Sequence, residues 1–293
     1  MKISTVINTY NEEKNIGRCL ESIKNFSEEI IVVDMHSTDK TVEIAKKFKA
    51  KIFFHEYTRY VEPARNFALS KATGDWILLL DADEELSQSL FKELIKIAKE
   101  NTVDFVEIPR KNIIFNKWIL HSRWWPDYLV RFFKRGKVKF SEEIHVPPVT
   151  SGKGQKLLAT EENTIVHYNF QTISQFIERF NRYSDIESEQ LISKGYDLDW
   201  KDIIFRPANE FFSRFFAGDG YKDGLHGLVL SLLQAFSEFV VYLKIWEKDG
   251  FKENSIPEIE NVFKKVAHDF YFWQGKSTSG LFMRIRLKIK SKI

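Results

Sequence analysis

The chain has 293 residues, 43% hydrophobic and 29% charged, which is enough apolar material for a sizeable core and excludes a disordered or fibrous polymer. A formal net charge of +3 implies no nucleic-acid partner, and the single cysteine, Cys19, excludes an internal disulfide and fits a reducing, cytoplasmic setting. The opening Lys2-Ile3-Ser4-Thr5-Val6-Ile7 lacks a charged-then-apolar leader and a small-residue cleavage site, so no secretory signal is expected.

The first hundred residues alternate strand and helix. Residues 2–9 read as a strand, and Asn11 is expected to cap a helix carrying Ile16, Cys19, Leu20 and Ile23 on its core side. Strands are predicted over 29–34, 51–54 and 76–80, and helices over 41–48 and 63–72, the latter opening with Pro63. A helix over 89–100 and a strand over 105–110 follow. This pattern predicts an α/β fold, a largely parallel sheet covered on both sides with ligands at the C-terminal strand ends.

Three strand ends carry polar clusters: Thr9-Tyr10-Asn11-Glu12, Asp34-Met35-His36-Ser37-Thr38-Asp39 and Asp81-Ala82-Asp83. Asp81 and Asp83 follow the uninterrupted apolar run Ile77-Leu78-Leu79-Leu80. If the chain stays extended they share a face, and two hard oxygen ligands suit Mg²⁺ or Mn²⁺ bridging to phosphate oxygens. No glycine-rich dinucleotide or P-loop motif is present, so a nucleotide must be held by side chains at the strand ends.

Thr9-Tyr10-Asn11-Glu12, Val32-Val33-Asp34 with Ser37-Thr38-Asp39, Ala64-Arg65-Asn66 and Asp81-Ala82-Asp83 together resemble the successive motifs of family 2 inverting glycosyltransferases. The resemblance implies a GT-A, Rossmann-like sheet and a nucleotide-diphospho-sugar donor, with a UDP-sugar as the first expectation. It places Thr9, Tyr10, Asn11, Glu12, Asp34 and Ser37 near base and ribose, Arg65 near the diphosphate, Asp81 and Ala82 at the ribose or metal, and Asp83 on the metal. A guanidinium at Arg65 also suits phosphate oxygens on its own chemistry.

The middle segment is expected to bring the acceptor and the base. Trp124-Trp125-Pro126-Asp127-Tyr128 sets aromatic rings beside a carboxylate, as a sugar site requires, and Asp127 is the candidate base, with Glu142 and Glu143 as rivals. His145 and His167 are candidate metal ligands, His167 lying in the alternating stretch Thr164-Ile165-Val166-His167-Tyr168. Trp125-Pro126-Asp127-Tyr128, Arg131-Phe132-Phe133, Asn181-Arg182-Tyr183-Ser184 and Lys244-Ile245-Trp246-Glu247 resemble bacterial transferases that add sugars to the lipopolysaccharide core.

The C-terminal third is read as helical. Thr172 begins a helix striped with Ile173, Phe176, Ile177, Phe180 and Tyr183, and residues 225–246 form a long apolar helix interrupted by His226, Gln234, Glu238 and Lys244. The tail Arg284-Ile285-Arg286-Leu287-Lys288-Ile289-Lys290-Ser291-Lys292 alternates cation and apolar residue, a pattern attracted to anionic lipid. The expected division is a catalytic domain over 1–170 and a helical region over 171–293. The expected activity is metal-dependent inverting transfer of a hexose to a lipid-linked glycan at the inner face of the cytoplasmic membrane. A sugar nucleotidyltransferase and a non-catalytic carbohydrate-binding or scaffold protein are the alternatives.

Overall fold

The structure, a computed structural model, describes residues 1–144, 146–253, 255–278 and 280. His145 and the basic tail over 284–292 lie outside the described residues. The chain divides into two compact units, one of Met1–Trp118 with Pro126–Asn169, the other of Ile119–Trp125 with Phe170–Ile293.

In the first unit, strands β1 (Ile3–Thr9), β2 (Glu29–Asp34), β3 (Lys51–Phe54) and β4 (Trp76–Asp81) alternate with helices α1 (Ile16–Ile23), α2 (Thr41–Lys47) and α3 (Glu62–Ser70). The short β5 (Glu84–Leu86) and helix α4 (Gln88–Glu100) come next. They are followed by β6 (Phe105–Ile114), β7 (Lys117–Trp118), β8 (Asp127–Lys134), β9 (Val138–Lys139), β10 (Val149–Thr150), β11 (Gly154–Lys156) and β12 (Ile165–Phe170). The main sheet runs β3-β2-β1-β4-β8-β6-β12-β5. Its first four strands are parallel, and β8 joins β4 and β6 antiparallel.

This is the α/β architecture expected from the alternation, and in its parallel half the runs of β2 and β4 are apolar on both faces, as strands covered by helices on each side are. Along β4, Trp76, Leu78 and Leu80 enter the core on one side with Ile7 and Phe132, while Ile77 and Leu79 enter the other with Val6 and Phe133. The period of two thus fills two layers from one strand. Trp76 stacks on Phe132 with ring centroids 4.7 Å apart, fixing β4 against β8.

Register then brings polar residues together. Pairing of β1 with its neighbours sets Thr9 beside Asp34 and Asn8 beside Asp81. Antiparallel pairing sets Arg110 opposite Asp127 and His167 opposite Glu84.

The second unit is helical: α5 (Ile173–Ser193), α6 (Asp202–Phe212), α7 (Leu225–Lys248) and α8 (Ile259–Ser277). Thr172 caps α5, its side chain accepting from the Gln175 N–H. Phe180 meets Phe236 edge-on at 5.6 Å, and Lys244 pairs with Asp185 at 2.8 Å, clamping α5 to α7.

Candidate active site

The loop after β1 is built from side-chain hydrogen bonds. Asn11 adopts a left-handed φ of 53°, which asparagine tolerates well, and its N–H donates to Ser37 Oγ at 2.8 Å. Its Oδ1 accepts from the Thr38 N–H at 2.8 Å, and the Glu12 N–H donates to Thr41 Oγ1 at 2.7 Å. Asn11 therefore ties the β1 loop to the β2 loop, and helix α1 begins only at Ile16; the expected helix cap is corrected to a loop pin. Asp34 is fully buried and accepts from the Ser37 N–H at 2.8 Å and from Ser37 Oγ at 2.5 Å. The Tyr10 ring lies 4.3 Å from the Tyr57 ring.

Two atoms at the end of β1 stand out. Asn8 Oδ1 and Thr9 Oγ1 are buried with no hydrogen-bond partner. Buried polar atoms are nearly always paired in folded proteins, so orphans at a strand end call for a ligand.

Beside them lies a connected cluster of charges. Arg65 Nη2 donates to Asp81 Oδ1 at 3.1 Å, and Arg131 Nη2 binds Asp81 Oδ2 and, at 2.9 Å, Glu84 Oε1. Arg110 Nη1 reaches the same Glu84 oxygen at 3.3 Å, while Arg110 Nη2 lies 2.6 Å and Nε 2.8 Å from Asp127 Oδ2. Asn112 Nδ2 also donates to Asp127 Oδ2, at 3.1 Å. Its Oδ1 lies 2.6 Å from His167 Nδ1, and His167 Nε2 lies 3.5 Å from Asp83 Oδ2. Nine side chains thus run unbroken from Arg65 to Asp83, with Arg65 Nη1 and Arg131 Nε buried and without a hydrogen-bond partner.

The cluster holds four carboxylates and three guanidinium groups; Asp81, Glu84 and Asp127 pair with the arginines, and Asp83, the carboxylate in excess, faces His167. Burying ion pairs costs free energy that packing alone would not require, which makes the cluster a candidate for chemistry.

Asp81 and Asp83 do not share partners, because the chain turns at Ala82-Asp83 instead of staying extended. Asp81 ends β4 with both oxygens on guanidinium groups, Ala82 packs into the core, and Asp83 turns toward His167. Of the residues expected at a metal, Asp83 and His167 come together and Asp81 binds Arg65 and Arg131. No group of three or more metal-type ligands occurs among the described residues.

The pair nonetheless fits a hard divalent cation. Because the Asn112 amide nitrogen faces a carboxylate, its oxygen must face His167, so Nδ1 of that ring carries the proton. In the neutral ring Nε2 then presents a lone pair toward the Asp83 carboxylate, two electron-pair donors that a cation satisfies. Mg²⁺ and Mn²⁺ commonly take few protein ligands and complete their shell with water and substrate phosphates.

Burial alone would push the Asp127 carboxyl up, but the Arg110 guanidinium and the Asn112 amide outweigh it and hold the group below its ordinary value. Burial likewise opposes ionisation of Asp81, and the Arg131 and Arg65 charges reverse it, holding that carboxyl far below the usual range. All three donors to Asp127 use Oδ2, so Oδ1 remains to accept a proton. Glu142 and Glu143 lie exposed between β9 and β10, and the Asp127 cluster is built without them.

Glu84, Arg110 and Asn112 were not anticipated. Their signals were present: Glu84 directly follows Asp83, and Arg110 and Asn112 stand two apart in one strand, polar on the same face of an otherwise apolar segment.

An α/β sheet whose strand ends gather carboxylates, arginines and orphaned polar atoms has the chemistry to hold a phosphorylated ligand. The family profile for glycosyl transferase family 2 matches residues 4–196, and the chain belongs to that family. It is a glycosyltransferase, which sets aside the binding-protein and nucleotidyltransferase alternatives. It is 33% identical over 259 residues to an uncharacterized glycosyltransferase of Rickettsia typhi, covering 84% of this chain and 87% of the relative. It is 24% identical over 263 residues to the lipopolysaccharide core biosynthesis glycosyltransferase LpsC of Rhizobium meliloti, covering 86% of this chain and 94% of the relative. Among solved structures it is similar to S. aureus TarS 1–349 in complex with UDP, at 18% identity and a TM-score of 0.43, covering 99% of this chain and 88% of that one.

Proposed function

We propose that the protein transfers a hexose from a UDP-sugar to a hydroxyl of a lipid-linked glycan, such as a lipopolysaccharide core, with inversion at the anomeric carbon and with Mg²⁺ or Mn²⁺ bound. The observation that carries this reading is the connected cluster that links Asp83 and His167 to Asp127. It joins a cation-type pair and a carboxylate with one open oxygen through a single chain of bonds.

The acceptor oxygen forms a bond to C1 of the sugar while the C1–O bond to the diphosphate breaks, its electron pair leaving with the diphosphate. Asp127 Oδ1 takes the hydroxyl proton, and Arg110 keeps that carboxylate ionised and fixed. Attack opposite the leaving group inverts the centre. The spare Arg65 Nη1 and Arg131 Nε are buried donors suited to a growing negative charge. Asp83 and His167 are the residues that would hold the divalent cation, whose contribution is to neutralise the leaving diphosphate. Thr9 Oγ1 and Asn8 Oδ1 await polar groups of the nucleotide, and the Tyr10 and Tyr57 rings offer faces for a base.

A lipid-linked acceptor is favoured by the helical unit. Leu225, Leu232 and Phe236 on α7 are exposed, as are Ile173 and Ile177 on α5, the helix that α7 is clamped to. Helix α7 is also long and apolar enough, by length and composition, to cross a membrane. We read this face as resting on the inner leaflet, aided by the five cations in the tail over 284–292. Incubation with UDP-, GDP- and ADP-sugars and a lipid-linked core glycan, with product read by mass spectrometry, tests the reading. Sugar transfer from a UDP-sugar that stops on metal chelation supports it, and release of no nucleoside diphosphate from any donor sinks it.

A further inference from the structure

Asn112 is fully buried at the middle of the polar run of β6 and bonds in two opposite directions. Its amide nitrogen holds Asp127 Oδ2 and its amide oxygen holds His167 Nδ1. We infer that Asn112 is a positioning residue that assembles both halves of the site at once, setting the His167 tautomer that faces Asp83 and the rotamer of Asp127. The inference rests on the transferase reading above and goes beyond it, because it couples cation affinity to proton acceptance through one neutral side chain.

The chemistry restricts what can stand here. One end must donate to a carboxylate and the other accept from a ring N–H, and the amide does this from two separate atoms, Nδ2 and Oδ1, that reach the two partners. Arg110, two residues away, reinforces the Asp127 end only, and Glu84 and Arg131 reach Asp127 only through Arg110. At the His167 end the hydrogen bond at 2.6 Å is of the type that fixes a metal-facing imidazole in other proteins, where its loss typically weakens metal binding about 10- to 100-fold. Asp in place of Asn112 keeps the acceptor for His167 but turns an acceptor on Asp127. Ala removes both bonds.

The test titrates Mn²⁺ by calorimetry into protein saturated with UDP, for the wild type, Asn112→Ala, Asn112→Asp, His167→Ala and the double variant Asn112→Ala/His167→Ala. Metal-free UDP binding and thermal unfolding are followed in parallel. The expected result is a loss of Mn²⁺ affinity of about 10- to 100-fold in Asn112→Ala with metal-free UDP binding unchanged. The double variant should be no weaker than His167→Ala, because Asn112 acts on the cation through that ring. Asn112→Asp should keep Mn²⁺ affinity within a few-fold while the transfer kcat drops at unchanged donor KM. Asn112→Ser, small and neutral, stands in if the alanine variant unfolds, with the same loss of Mn²⁺ affinity expected. Unchanged Mn²⁺ affinity in Asn112→Ala, or losses that simply add in the double variant, overturn the inference while leaving the transferase reading intact. Absence of metal-dependent UDP binding in the wild type overturns both.

Discussion

Arg110→Gln tests whether the charge cluster is held together as described. The guanidinium makes two contacts to Asp127, at 2.6 and 2.8 Å, and a third to the fully buried Glu84 at 3.3 Å. Removing one partner of a buried ion pair costs about 3–5 kcal/mol, because the remaining charge stays out of water. Here Asn112 still donates to Asp127 at 3.1 Å and Arg131 to Glu84 at 2.9 Å, so the loss belongs at the lower end, about 3 kcal/mol. For a unit of this size that is a fall in Tm of roughly 6–12 °C. Asp127 is depressed in the folded protein, so its contribution is present above the ordinary carboxylate pKa and is lost as pH falls through the folded value. The gap between wild type and variant should therefore be full at pH 7 and shrink as pH is lowered below the ordinary aspartate range. Urea unfolding at a series of pH values measures both quantities. A gap under about 1 kcal/mol at pH 7, or one that does not change with pH, would refute the account of the cluster.

Three further outcomes follow from the same structure. Thr9→Val should change stability by no more than about 1 kcal/mol, since the hydroxyl is buried and unpaired, yet should weaken UDP binding measured by calorimetry; unchanged affinity removes Thr9 from the donor site. Glu238 is pushed up to about 6 by burial first and then by Glu210 and Glu187, so the stability linked to it is present below the ordinary glutamate value and lost as pH rises through 6. Glu238→Gln should then stabilise the helical unit at pH 8 by about 1 kcal/mol after allowance for its partial exposure, with no gain at pH 4, as read by thermal unfolding. Gly227→Ala should lower the Tm of the helical unit despite alanine's better helix propensity, because its Cβ would sit 1.7 Å from the Gly220 carbonyl oxygen; a rise in Tm would mean that the two backbones are not that close.

The parallel half of the sheet was legible from short apolar runs between helical segments. Ile30-Ile31-Val32-Val33 and Ile77-Leu78-Leu79-Leu80 are too short for helices, and β2 and β4 formed where those runs lie. Within a C-terminal third read as helical, α6 and α8 were not delimited, the first because an interior proline, Pro207, argues against a helix that nonetheless runs through it, the second because its aromatic residues Phe270-Tyr271-Phe272-Trp273 are consecutive and give no stripe. Asn11 misled because a capping asparagine and a left-handed loop asparagine look alike until the partner loop, here Ser37 and Thr38, is known.

In the candidate site, Asp81, Asp83, Asp127 and His167 were named from side-chain chemistry, but which of them meet, and through which partners, is set by strand pairing. Asp83 and His167, 84 positions apart, were proposed for a cation on side-chain chemistry, yet the pairing of β12 with β5 is what carries His167 to the turn that holds Asp83. Arg110 and Asn112 gain meaning only once β6 lies against β8 and the Asp127 carboxylate stands opposite. The split between Asp81 and Asp83 depends on a turn at Ala82 that no periodicity announces.

In the proposed mechanism Asp83 and His167 complete a nucleoside-diphosphate site with a divalent cation. Calorimetric titration of UDP into wild type and Asp83→Asn, each with and without Mn²⁺, addresses it most directly. UDP binding should strengthen markedly with Mn²⁺ in the wild type and lose that dependence in Asp83→Asn. Equal UDP affinity in all four titrations, or metal-enhanced binding that survives the substitution, would contradict it.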